Sequence, residues 1–216
     1  MTMNIMKSPI KLLFILCVAL LSLRCLSPAE KSCRVDSKCA DCISLTGKDM
    51  DGICRFKYEN TIIDVNLYNP VVISALDFLK ENKPLVYSII NSDVPRIFYA
   101  YFAPEDTLHS DGSISLSHWC LREGALYTAA VLYHEVLHLV CREMRYPESL
   151  EERYRLLLED EGITTEKAGR DYGLQEERFV YTKELDFLIR FRAPRRVINK
   201  TREDLRFLDE TYKDLK

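Results

Sequence analysis

The five residues His134-Glu135-Val136-Leu137-His138, set in an apolar run from Ala125 to Met144, constrain this chain more than any other feature. The run opens after Gly124 and stops short of Pro147, which marks it as a helix. Residues four apart on a helix lie on one face, one turn from each other. Two imidazoles so placed can bind one Zn²⁺ together, each nitrogen about 2.0 to 2.1 Å from the ion. Glu135 then stands beside the metal, where a carboxylate can take a proton from water. With only four histidines in 216 residues, accident seldom produces this spacing. The helix is also apolar on both sides of the motif, and two His and a Glu buried there are costly unless partnered.

Around this helix the pattern predicts an α+β chain with a few strands followed by helices, rather than βαβ repeats. Asn69 reads as the N-cap of a helix with Pro70 at its first position, and Pro84 opens a second short helix running through Ile90. Arg96 to Phe102 and the alternating Ser113 to Ser117 read as strands, the second with an exposed face. Further helices are predicted from Glu148 to Glu161, Thr165 to Tyr172, Leu174 to Arg192, and from Thr201, with Asp204 completing a capping-box-like start.

The N-terminus reads as an export signal. Lys7 and Lys11 precede an apolar run from Leu12 to Leu23, which is shorter than the roughly 20 residues that span a bilayer. Residues 1–25 form the leader if Cys25 is a lipidated first residue, which would tether the protein to a membrane; the alternative is cleavage after Ala29. Cys33, Cys39, Cys42, Cys54, Cys120 and Cys141 remain. In an oxidising compartment they favour disulfides over a zinc knuckle. A Cys120–Cys141 bridge is disfavoured, because the intervening helix carries Cys141 about 25 Å from its start. Residues 26–60 thus form a cysteine-rich segment and 61–216 the main domain. The net charge of −3 gives no electrostatic case for nucleic acid as a partner.

The helix Gly124 to Glu143, with H-E-V-L-H inside it and the strand Gly112 to Ser117 before it, resembles the zincin metallopeptidases. The resemblance implies a strand along the edge of a small sheet above the zinc helix, with substrate pairing to it in extended form. No His follows His138, so the third His of the metzincins is absent and the gluzincin branch is the nearer likeness. That branch takes its third ligand from a later helix, in an E-x-x-A-[DN]-like context. Glu177, in Glu177-Arg-Phe-Val180-Tyr181, is the candidate, sharing a helix face with Leu174, Tyr181, Glu184 and Leu188; Glu176 is the alternative. Tyr181 stands where the family has Asp or Asn.

The resemblance therefore implies a zinc-dependent hydrolase, a metallopeptidase acting on peptide or protein substrates, and the leader predicts a place in the bacterial cell envelope, lipid-anchored or secreted. His134, His138 and Glu177 are its metal ligands and Glu135 its general base. Glu184 reads either as a group orienting a ligand His or as a charge at a helix edge. His109 and His118 read as solvated loop residues that could also face an oxyanion, Trp119 as packing or rim, and Arg190, Arg192, Arg195 and Arg196 as a basic surface patch. The rival expectation is a binding or scaffold protein of the envelope, a zincin fold without turnover or a disulfide-rich module.

Overall fold

Short runs of β-branched and aromatic residues build the strands β1 (Ile43–Lys48), β2 (Cys54–Tyr58), β3 (Thr61–Asp64), β4 (Arg96–Tyr99), β5 (Thr107–Leu108) and β6 (Ile114–Leu116). The computed structural model describes residues 43–48, 54–101, 105–144, 150–162 and 174–214. All of them belong to one compact unit, residues 38–216. The strands form one mixed sheet in the order β1-β2-β3-β4-β6-β5. β3, β4 and β6 run parallel, while β1, β2 and β5 pair antiparallel with their neighbours. Seven helices are described: α1 (Asn69–Asn82), α2 (Pro84–Asp93), α3 (His118–Glu123), α4 (Ala125–Glu143), α5 (Glu152–Asp160), α6 (Leu174–Arg190) and α7 (Arg195–Asp214).

The α+β class is as expected, but the arrangement differs from the sequence reading in several places. α1 and α2 connect β3 to the parallel β4, so one crossover unit sits inside a chain read as strands followed by helices. β1 and β2 continue the sheet through β3, so the boundary drawn at residue 60 runs through a paired hairpin. β6 is not the edge strand. It lies between β4 and β5, with Ile114, Ser115 and Leu116 all buried, and the edge near the motif helix is β5.

Two caps also differ. Asn69 does not cap α1; its Oδ1 accepts from the Val65 amide at 3.1 Å and so ties the helix start back to β3. Thr201 lies inside α7, six residues beyond its start, because Pro194 stops the preceding turn and the helix begins at Arg195. The predicted helix Thr165 to Tyr172, the leader and the lipidation site lie outside the described residues.

α4 is buried almost all round, as its composition demands. It packs mainly against α1 on one side and α6 on the other, and α6 in turn packs against α7. Its start depends on Gly124, where φ of 92° and ψ of −179° define a conformation open essentially to glycine alone. Gly124→Ala should therefore lower stability by about 1–3 kcal/mol. No atom lies within 4 Å of the added Cβ, so the cost is backbone strain rather than a clash. Denaturant unfolding, with unchanged m-value, would measure it.

The two described thiols depart from the disulfide expectation. Cys120 and Cys141 are both buried and free. Burial pushes the Cys120 thiol well above its ordinary range and the Cys141 thiol up to about 12. Neither is a nucleophile at neutral pH. Cys33, Cys39 and Cys42 lie outside the described residues, and so does any pairing of these with Cys54. Among the described residues no helix is long and apolar enough to cross a membrane.

Candidate metal centre

Helical phase on α4 turns His134, Glu135 and His138 toward α6, and phase on α6 turns Glu176, Glu177, Tyr181 and Glu184 back toward α4. All seven line a cleft of about 660 Å³. The two Nε2 atoms of His134 and His138 lie 3.1 Å apart. Glu177 Oε2 is 3.5 Å from His138 Nε2 and 3.9 Å from His134 Nε2. One ligand atom from each of these residues falls within 4.8 Å of the others, a spacing that a single cation can close.

The outward-facing ring nitrogens decide what the inward ones can do. Glu184 Oε2 lies 2.8 Å from His134 Nδ1, and Glu176 Oε1 lies 2.7 Å from His138 Nδ1. A carboxylate at each Nδ1 fixes the tautomer that keeps the proton there, which leaves the Nε2 lone pair free for a metal. Glu184 is itself held: Thr201 Oγ1 of α7 donates to its Oε1 at 2.9 Å, and only 2% of Glu184 is exposed. The sequence left Glu184 between an orienting role and a helix edge, and the structure places it against His134. Glu176, the reserve candidate for third ligand, instead engages the far side of His138.

Without a cation this arrangement is charged in a telling way. Burial pushes both imidazoles toward neutrality, but the adjoining carboxylates outweigh it. His134 is raised by Glu184, and His138 is raised to about 10 by Glu176 and Glu177. Burial lifts Glu177, but its contact with His138 more than offsets this and holds it below the usual carboxylate range. The donor set of two imidazoles and one carboxylate is one that Zn²⁺ favours. The residues fit the metal.

Glu135 is 4% exposed, and burial raises its carboxyl above the ordinary range. The Tyr181 ring meets His134 edge-on, with centroids 4.7 Å apart. Tyr181 thus braces the His134 ring from the position where the resembled family carries an acid or amide. Trp119 is a partly exposed rim residue stacked edge-on against Tyr127 at 4.7 Å, and both line the cleft.

The rim is built from the loop before β5. Asp106 Oδ1 accepts from the Ser117 amide at 2.6 Å, tying the start of β5 to the end of β6, and burial raises its carboxyl. The β5–β6 turn closes with His109 N donating to Ser113 O at 2.8 Å. Gly112 sits there at φ 84°, where a Cβ would come within 3.0 Å of Asp93 O. Asp106 and Tyr127 were not singled out in the sequence, since neither belongs to a motif and only tertiary pairing brings them to the cleft.

The remaining histidines stand elsewhere. His118 Nδ1 lies 3.2 Å from Tyr99 Oη and 3.4 Å from Tyr68 Oη, and His109 stacks on Phe98 at 5.2 Å. Neither lines the cleft, so the oxyanion role considered for them has no geometric basis. In the basic patch, Arg196 Nε pairs with the buried Glu123 carboxylate at 2.5 Å, which gives it a structural use.

Glu184→Gln should weaken zinc binding by about 10–100-fold, the usual effect of removing a partner behind a ligand His. Competition against a zinc chelator, beside a thermal melt to show that the Thr201 contact still supports the fold, would measure it. Comparison with family models, with curated proteins and with solved structures finds no match for this chain.

Proposed function

We propose that the protein is a zinc-dependent hydrolase of the gluzincin-like kind, a metallopeptidase working outside the cytoplasm behind its leader-like N-terminus. The observation that carries this reading is the convergence of His134 Nε2, His138 Nε2 and Glu177 Oε2, with a carboxylate behind each imidazole. A binding protein has no need of Glu135, a buried carboxylate with no other evident task in the same cleft.

His134, His138 and Glu177 would hold the metal. Bound zinc supplies Lewis acidity, which polarises a carbonyl and makes water nucleophilic near neutral pH. Glu135 accepts the proton of the attacking water and then returns it to the leaving amine. Its raised affinity for a proton suits the first step, and the low polarity that raises it strengthens every charge interaction in the cleft. Glu176 and Glu184 keep the imidazole protons on Nδ1 throughout. β5, Thr107–Leu108, is an edge strand that lines the same cleft, where an extended peptide can be laid as an added strand.

The test is hydrolysis of a mixed peptide library by the chain as isolated, after chelation, and after zinc is restored. Cleavage that disappears with the metal and returns with it supports the reading. Cleavage that survives complete chelation, or none with zinc bound, would refute it.

A further inference from the structure

Arg142 stands one helical turn beyond His138 on α4, about 5–6 Å further along the axis, and lines the cleft. Its Nη1 donates to the backbone oxygen of His109 at 3.2 Å. That bond fixes the guanidinium against the residue that follows rim strand β5. Its side chain is about one-third exposed, at 33%.

Among the described residues no carboxylate comes within hydrogen-bond distance of its guanidinium. Its ion-pair partner among the described residues is the sequence neighbour Glu143, 3.6 Å from Nε and beyond hydrogen-bond distance, and Asp93, Asp111 and Glu151 line a second pocket beside it. Other acids on this side are committed elsewhere. Asp111 accepts from the Ser113 amide, Asp93 holds Arg153 at 2.8 Å together with the Tyr154 hydroxyl, and Glu176 serves His138. The cleft's other cation, Lys200, is closed on Asp204 at 2.6 Å. Among the described residues Arg142 is thus a partly exposed fork of N–H donors with one backbone acceptor and one longer ion pair. A planar carboxylate is the group that best completes it, through two parallel hydrogen bonds.

We propose that Arg142 anchors a carboxylate of the substrate, so that the cleft selects peptides bearing a negative charge at a fixed distance from the scissile bond. This rests on the peptidase reading of the cleft. The carboxylate can come from an Asp or Glu side chain or from the peptide's own C-terminus. In the first case the enzyme cuts within chains, and in the second it trims their ends.

The test uses the zinc-loaded full chain and two matched peptide libraries, one with free and one with amidated C-termini, with cut sites read by mass spectrometry. The wild type is expected to favour Asp or Glu over Asn or Gln at one position by about tenfold or more, or to lose its cuts near the terminus to a similar degree on amidation. Either preference should fall to near parity in Arg142→Gln, and Arg142→Glu should turn it toward Lys and Arg. Because each preference is a ratio within one protein, a general loss of activity does not mimic it. Arg142→Lys keeps the charge without the fork and should retain part of the ratio, which guards against misfolding of the other variants. Cleavage with no carboxylate preference, or a preference unchanged in Arg142→Gln, overturns the assignment while leaving the peptidase reading intact. Absence of both zinc and cleavage in the wild type overturns both.

Discussion

Glu135→Gln is expected to lower kcat by about 10²–10⁴-fold while leaving zinc content and fold unchanged. The substitution keeps the size and hydrogen-bonding reach of the side chain but removes its capacity to accept a proton. None of the contacts that position the two imidazoles passes through Glu135: His134 is held by Glu184 and His138 by Glu176. Loss of turnover should therefore appear without loss of metal, and KM should change little, since the missing interaction belongs to the transition state. Because burial raises the Glu135 carboxyl, removing its charge relieves a desolvation cost, and the variant should unfold at the same temperature or slightly higher. Measuring kcat beside metal content separates the two roles. A variant that cleaves as fast as the parent would show that the proton goes elsewhere.

Glu177→Ala should reduce zinc affinity by more than the 10–100-fold that outer-shell substitutions cost, because on the proposed reading it removes a ligand rather than a support. Glu176→Ala, one residue away, should stay within that smaller range. The contrast follows from position. Glu177 Oε2 is the carboxylate oxygen beside both Nε2 atoms, whereas Glu176 Oε1 sits behind His138 at Nδ1. In the metal-free chain Glu177→Ala also removes one of the three carboxylates, with Glu176 and Glu135, that raise His138 to about 10, so that imidazole should titrate at lower pH. Zinc titration of both variants against a competing chelator, with imidazole resonances followed by NMR, would check both statements. Equal losses in the two variants would mean that the third ligand has been misassigned.

Much of the centre was legible because its parts obey strong local rules. The apolar run closed by Gly124 and Pro147 could be little other than a buried helix, and it spans Ala125–Glu143. Phase alone put Glu177, Tyr181 and Glu184 on one face of the later helix. What phase could not provide was the identity of the facing partner, so Glu184 was ambiguous until Thr201 and His134 closed on it from two sides. Thr201 shows how a local signature is overridden: the Thr201-x-x-Asp204 pattern suits a helix start, but its hydroxyl is used on Glu184 in mid-helix. The edge strand was misplaced for a related reason. Ser113 to Ser117 alternates like a half-exposed strand, yet the two-residue β5, too short to leave any periodic trace, covers it.

The thiols carry a similar lesson. Export arithmetic pairs cysteines by number, but Cys120 lies fully buried beside Thr128, its Sγ 3.8 Å from the threonine hydroxyl. There it behaves as a small apolar residue. Only packing distinguishes such a cysteine from one waiting for a partner.

Whether His134, His138 and Glu177 form a metal centre is tested most directly by the zinc content of the folded chain in native mass spectrometry, before and after reloading from zinc-buffered solution. Such a centre predicts one zinc per chain, retained in Glu135→Gln and lost in Glu177→Ala. A folded wild type that takes up no zinc after reloading would contradict it.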